Sequence, residues 1–95
     1  MIQVFVDEHN VIVSGHAITG APPGQNIVCA AVSAITLTLI EGLESITEDT
    51  IEALAEPGDV RISWEQLSSG GRVLIDTWFL GITRIREEYG HIEIL

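Results

Sequence analysis

Ile2-Gln3-Val4-Phe5-Val6-Asp7-Glu8-His9-Asn10-Val11-Ile12-Val13-Ser14-Gly15 contains two runs of alternating apolar residues, Ile2/Val4/Val6 and Val11/Val13, on either side of a short polar stretch. A period of two turns one side of each run toward a core. Residues 2 to 7 and 10 to 15 therefore read as two strands joined through Glu8-His9-Asn10 into a β-hairpin. The chain then changes character. Gly15 to Gln25 holds three glycines and the pair Pro22-Pro23, a composition that supports a loop and no regular element. Beyond it, Asn26 is a good N-cap for a helix on which Val28, Ala31, Val32, Ile35, Leu39 and Ile40 fill nearly the whole circumference. That pattern marks a helix buried on most sides.

Further along, Thr47 to Glu56 looks locally helical. Glu56-Pro57-Gly58-Asp59 is nevertheless a strong turn signal and leads into the strand-like Val60-Arg61-Ile62-Ser63-Trp64, so a helix and a hairpin arm both fit residues 47–56. Gly70-Gly71 reads as loop. From about Gly71 to Tyr89, Leu74, Ile75, Trp78, Ile82 and Ile85 recur at helical spacing, Gly90 supplies a stop, and Ile92 and Ile94 suggest a terminal strand that includes His91. Trp64 and Trp78 fit core or interface anchors.

With 95 residues, the chain has room for one domain with a modest core. An apolar content of 46% against 19% charged places it among globular proteins. The uncharged run Asn26 to Ile40 falls short of the roughly 20 apolar residues a membrane span needs, and reads as a core helix. The N-terminus has no basic stretch, apolar segment or cleavage site of a secretory signal. The expectation is a cytoplasmic protein without membrane contact. A net charge of −10, with four Arg as the only basic residues besides histidine, argues against binding nucleic-acid phosphate and favours a basic partner. Seven of the fourteen acidic residues fall between Glu41 and Asp59, a stretch that fits a solvated face. A small domain this apolar is also expected to associate, as a homodimer.

Cys29 is the single cysteine, which rules out an internal disulfide and gives no support to a thiolate metal site. His9 and His91 show no metal-ligand spacing and read as surface residues. No glycine motif of the phosphate-binding kind occurs, and no cofactor is expected. With Asn26 as cap, Cys29 is the third residue of its helix, in the first turn, where unpaired N–H groups and the helix dipole favour negative charge. Reactive cysteines use such positions because the thiolate is the nucleophile. A lone cysteine in an apolar helix is more often an inert core residue. His16 directly follows the second strand, and an imidazole there facing the helix start across the loop would accept the thiol proton. Taken alone, a histidine at a strand end is more often a solvated loop residue.

The run Gly15-His16-Ala17, followed by a glycine-containing loop and Gly24-Gln25-Asn26-Ile27-Val28-Cys29-Ala30-Ala31-Val32-Ser33-Ala34, resembles the signature of the ribosomal-processing cysteine proteases, the Prp family. The likeness extends to Glu41-Gly42-Leu43-Glu44 after the helix, and to Leu80-Gly81-Ile82 and Arg86-Glu87-Glu88-Tyr89 near the end. This resemblance implies His16 and Cys29 as the catalytic pair, with Gly15, Asn26, Ala30 and Ser33 as supporting positions. It implies a small α+β domain of ββαββαβ order, a mixed sheet packed against two helices, in which Ile51 to Ala55 is the third strand. It also implies a homodimer that removes the N-terminal extension of large-subunit ribosomal protein number twenty-seven, a basic substrate. Asn26 stands where the family usually has Asp, and the chain is shorter through Ile51 to Gly71.

Two other classes compete with the peptidase. One is a non-catalytic dimeric domain that binds a basic ribosomal or ribosome-associated protein through residues 41–59. The other is a thiol redox sensor, which lacks a second cysteine in the chain to resolve a sulfenic acid. Thiol reactivity separates the peptidase from the interaction domain.

Overall fold

A computed structural model describes residues 1–15 and 27–95. The element order is β1 (Ile2–Val6), β2 (Asn10–Ser14), α1 (Ile27–Ser45), β3 (Glu52–Glu56), β4 (Asp59–Ser63), α2 (Ser69–Tyr89) and β5 (Ile92–Ile94). The α+β, ββαββαβ expectation holds. The opening hairpin forms through residues 7–10, where Asp7 turns the chain: its Oδ1 accepts from the His9 N–H at 2.8 Å and from Asn10 Nδ2 at 3.2 Å. These are the local bonds that make Asp a turn residue. Val4 then faces Val13 and Val6 faces Val11 in antiparallel register.

The sheet has five strands in the order β3-β4-β2-β1-β5, with β5 parallel to β1 and the other pairs antiparallel. Alternation assigns its faces. Ile2, Val4, Val11, Val13, Ile62 and Ile92 point to one side and are buried with Val28, Val32, Leu39 and Leu43 of α1 and Ile75, Trp78 and Ile82 of α2. Each fully buried aliphatic side chain of this kind stabilises by about 1.5–3 kcal/mol. Gln3, Phe5, Ile12, Arg61 and Leu54 occupy the other face, which neither α1 nor α2 covers.

The two helices lie close because small residues face large ones. A Cβ on Gly81 would sit 3.1 Å from Ile35 Cδ1, and one on Gly42 would sit 3.4 Å from Leu74 Cδ1. One polar contact joins them inside the core. Trp78 Nε1 donates to Thr36 Oγ1 at 3.0 Å, and Thr36 has no exposed surface. Leaving that indole N–H without an acceptor would cost about 1–3 kcal/mol.

Four local expectations change. Residues 47–56 hold strand Glu52–Glu56 rather than a helix, one residue later than Ile51 to Ala55, because Pro57-Gly58 closes a hairpin that pairs Glu56 with Asp59. Pro at the first central position and Gly58 at φ 74 meet the demands of a type II turn. Glu41-Gly42-Leu43-Glu44 lies inside α1, which continues to Ser45 because Leu43 is fully buried. Gly70-Gly71 forms the first turn of α2. Ser68 caps it by accepting the Gly71 N–H at 3.0 Å, and a Cβ on Gly71 would strike Asp49 and Leu67. His91 precedes β5 at φ 64, so Gly90 and His91 together turn the chain back.

At 19 residues, α1 is long and apolar enough to cross a membrane by length and composition, more than the uncharged run indicated. In the fold its Val28-Val32-Thr36-Leu39-Leu43 stripe is buried.

Asp49 fastens the end of α1 to the start of α2. Its carboxylate accepts the Ser68 N–H at 2.8 Å and the Ser68 hydroxyl at 2.7 Å. The Ser68 hydroxyl, and after it the Ser68 N–H, hold this carboxyl below the ordinary value of about 3.9. A carboxyl depressed on folding contributes stability above its unfolded value and loses it as pH falls through the folded one. The Asp49→Asn variant should therefore unfold at lower urea than the parent at pH 6, with the gap narrowing at pH 3. An equal gap at both pH values would show that the charge contributes nothing.

Candidate active site

The register distinguishes two ends of the sheet. β2 leaves it at Gly15, whereas β3 enters beside Ser63 and Asn10, at the end where the β1–β2 turn lies. α1 spans these points over a rise of about 28 Å. Its first turn therefore lies toward the Gly15 end, and its last turn toward the other.

Gly15 sets how the chain departs. Its φ is +94, a region that disfavours L side chains, and a Cβ there would lie 2.5 Å from the Met1 carbonyl oxygen. Its N–H donates to the Gly58 carbonyl at 2.9 Å, so the β3–β4 turn braces the point from which the chain proceeds to His16. The reading of Gly15 as a supporting position thus acquires a backbone reason. His16 and Asn26 lie outside the described residues, as does the juxtaposition of His16 with Cys29.

Cys29 is the third residue of α1 and carries a thiol, half-buried, one side packed against the core cluster. Helix geometry alone decides its surroundings along the chain. Val28 beside it is buried, Ala30 is exposed, and exposed Ser33 lies one turn on. The first turn of α1 contains no acidic residue. No Asp, Glu, Lys or Arg occurs between residues 10 and 40. An anion at Cys29 is thus favoured by the dipole of a helix start and opposed by no carboxylate of its own segment. Asp59, set beside Ser14 by the register, is held by Arg61 at 3.1 Å. Among the described residues no group of side chains is arranged to hold a metal.

His9 and His91 are exposed, as expected. His9 is more than a turn residue: its Nδ1 lies 3.1 Å from the Trp64 carbonyl, while Trp64 Nε1 donates to the Glu8 carbonyl at 2.8 Å. Trp64 is buried as an anchor of the hairpin. An open groove of about 830 Å³ lies beside it, lined by His9, Glu48, Asp49, Glu52, Trp64 and Glu65 among others. It belongs to the end of the molecule where α1 finishes, and so lies apart from Cys29. Sequence reasoning did not single out Asp49 or Ser68. Ser68 three residues before Gly71 was a legible cap, whereas its bond to Asp49 spans 19 residues and leaves no local signal.

A family model described as cysteine protease Prp matches residues 1–92. Among solved structures, the ribosomal processing protease Prp from S. aureus, in complex with a covalently linked product peptide, aligns with a TM-score of 0.84 at 22% identity, covering 98% of this chain and 94% of that one. The same S. aureus protease with a substrate peptide gives 0.75 at 18% identity, covering 99% and 95%. The SMU.848 protein of Streptococcus mutans gives 0.76 at 26% identity, covering 99% and 91%. No curated protein matches the chain. The five-strand, two-helix order is thus that of the Prp structures.

The Gly15→Ala variant should lose about 1–3 kcal/mol of stability, the usual scale for a residue held in a disfavoured backbone region. Urea unfolding measures it. Parent-like stability would show that the left-handed conformation at Gly15 is not required.

Proposed function

The chain belongs to the cysteine protease Prp family, and on that premise we propose that Cys29 and His16 form a catalytic dyad that removes the N-terminal extension of large-subunit ribosomal protein number twenty-seven. The observation that carries this reading is the place of Cys29 in the first turn of α1, at the sheet end where Gly15 delivers the chain into His16. The peptidase chemistry itself is that of the family.

In the first half-reaction, the Cys29 thiolate attacks the scissile carbonyl carbon and its electron pair moves onto the oxygen. Backbone N–H groups of the helix start are suited to hold that oxyanion. Collapse breaks the C–N bond, His16 gives its proton to the leaving amine, and a thioester to Cys29 remains. Water then adds to the thioester, losing a proton to His16, and the C–S bond breaks to release the carboxylic acid and restore the thiolate. No acidic third member is assigned.

A substrate of this kind is basic, and a chain of charge −10 attracts it by long-range steering that weakens as salt shortens the Debye length. The S. aureus relatives were solved with substrate and product peptides, which supports a peptide-binding role for this fold. The reading includes a cytoplasmic homodimer. In support of the dimer, the uncovered sheet face carries the row Phe5, Ile12 and Leu54, broken by Arg61. Sedimentation at micromolar concentration decides the mass.

Incubating the source organism's own precursor with the protein should yield a product shortened at its N-terminus, read by mass spectrometry. Cys29→Ala should abolish it. His16→Ala should keep the fold and slow turnover by about 100-fold or more, the scale of a lost acid–base group. Unchanged turnover in His16→Ala would remove the dyad, and an intact precursor with the parent enzyme would remove the substrate.

A further inference from the structure

β3 is the edge strand of the sheet, and all five of its residues are exposed. The core draws on β1, β2, β4 and β5 and takes nothing from β3. The two-residue turn at Pro57-Gly58 fixes which backbone groups are available. Next to such a turn the flanking pair, Glu56 and Asp59, exchange hydrogen bonds, and the alternation of an antiparallel ladder repeats this at Leu54 and Glu52. The N–H and C=O groups of Ala53 and Ala55 consequently point outward, away from β4. Their methyl side chains leave the approach open. Between Glu52 and Glu56 the strand has no lysine, bulge or proline, and the charges at this edge are the two glutamates.

Charge selects the occupant. Glu52 and Glu56 flank Leu54 on one face of the strand. A second copy added antiparallel and centred on Leu54 would set Glu52 of one copy opposite Glu56 of the other, twice, and like charges directly opposite are destabilising. A strand with Lys or Arg at those two places gains where the self-pair loses. Glu48 and Asp49 just before β3 extend the same sign.

Position links the edge to the site. β3 runs toward the turn whose Gly58 carbonyl accepts from Gly15, so its far end lies two strands, about 10 Å, from the start of the His16 loop.

We propose that the free edge of β3 is a docking strand for an extended basic segment of the protein substrate, bound by main-chain pairing to Ala53 and Ala55 and by charge to Glu52 and Glu56. It rests on the peptidase reading above and names how the substrate's body, rather than its cleavage site, is held. The surface is a sixth-strand addition, weakened by salt through its charged part.

The test uses the full chain with Cys29→Ala, so that nothing is cut, and two derivatives: Glu52→Lys with Glu56→Lys, and Ala55→Pro. The proline removes an outward N–H and leaves the ladder to β4 intact, a placement edge strands tolerate. Should Ala55→Pro fail to fold by circular dichroism, the charge reversal at exposed positions decides alone. The probes are the ribosomal precursor protein and a short peptide spanning only its cleavage site. Both derivatives should bind the precursor at least about 10-fold more weakly, a free-energy change of about 1.4 kcal/mol. With Cys29 restored, both should cut the short peptide within about 2-fold of the parent, as expected for a rim contact remote from the chemistry. Parent-like affinity for the precursor, or a matching loss on the short peptide, would overturn the proposal. So would sedimentation showing that Ala55→Pro converts a dimer to monomer, since the edge would then belong to a second copy. A precursor cut by the parent yet bound equally by the derivatives refutes the docking strand alone. One that is bound through the edge yet left uncut refutes the substrate reading alone.

Discussion

Everything in this fold follows from a sheet that is covered on one face only. Ile2, Val4, Val11, Val13, Ile62 and Ile92 share that face by register, and two helices suffice to bury them. Those helices must lie close to cover the sheet, which is why Gly42 and Gly81 sit where a Cβ would press on Leu74 and Ile35. The Trp78–Thr36 hydrogen bond joins them in a core where, among the described residues, Thr36 is the one buried polar side chain besides the indoles. Coverage stops at β4. The open face, the bare β3 edge and the placing of the α1 start at the Gly15 end are consequences of the same economy of elements.

What the sequence made legible was whatever is encoded by period and punctuation. The first hairpin, the buried face of α1, the Leu74–Ile85 helix and the Gly90 stop each rest on neighbours within a few residues. β3 is different. Glu52-Ala53-Leu54-Ala55-Glu56 has helix-forming residues and no buried position, so its own composition carries no strand signal. It becomes a strand because Pro57-Gly58 folds it back on β4, whose Ile62 is held in the core. Family resemblance supplied that strand where local propensity did not. Gly70-Gly71 failed the other way: the pair suggests a loop, yet Gly71 is required in a helix turn because Asp49 and Leu67 occupy the space a side chain would take.

The site was half legible for a related reason. A cysteine three residues into a helix can be read from a cap and a pattern, and the described fold has that helix starting at Ile27. The special backbone of Gly15 could not be read, since its φ is imposed by Met1 and Gly58, each distant in sequence or on another strand. Its pairing with His16 in the signature makes sense as the requirement that the chain leave β2 in one particular direction.

Charge is divided between chemistry and encounter. No Asp, Glu, Lys or Arg occurs between residues 10 and 40, so no carboxylate of its own segment opposes an anion at Cys29. Glu41, the first carboxylate along α1, is about 18 Å further up the helix at 1.5 Å per residue. That exceeds two Debye lengths at physiological salt, about 8 Å each. The acidic stretch from Glu41 onward along α1 therefore does not oppose an anion at the thiol. Asp59, which the register sets beside Ser14 at the Gly15 end, is paired with Arg61. The neutral stretch around Cys29 and the acidic stretch from Glu41 are set apart because α1 runs the length of the sheet between its two ends.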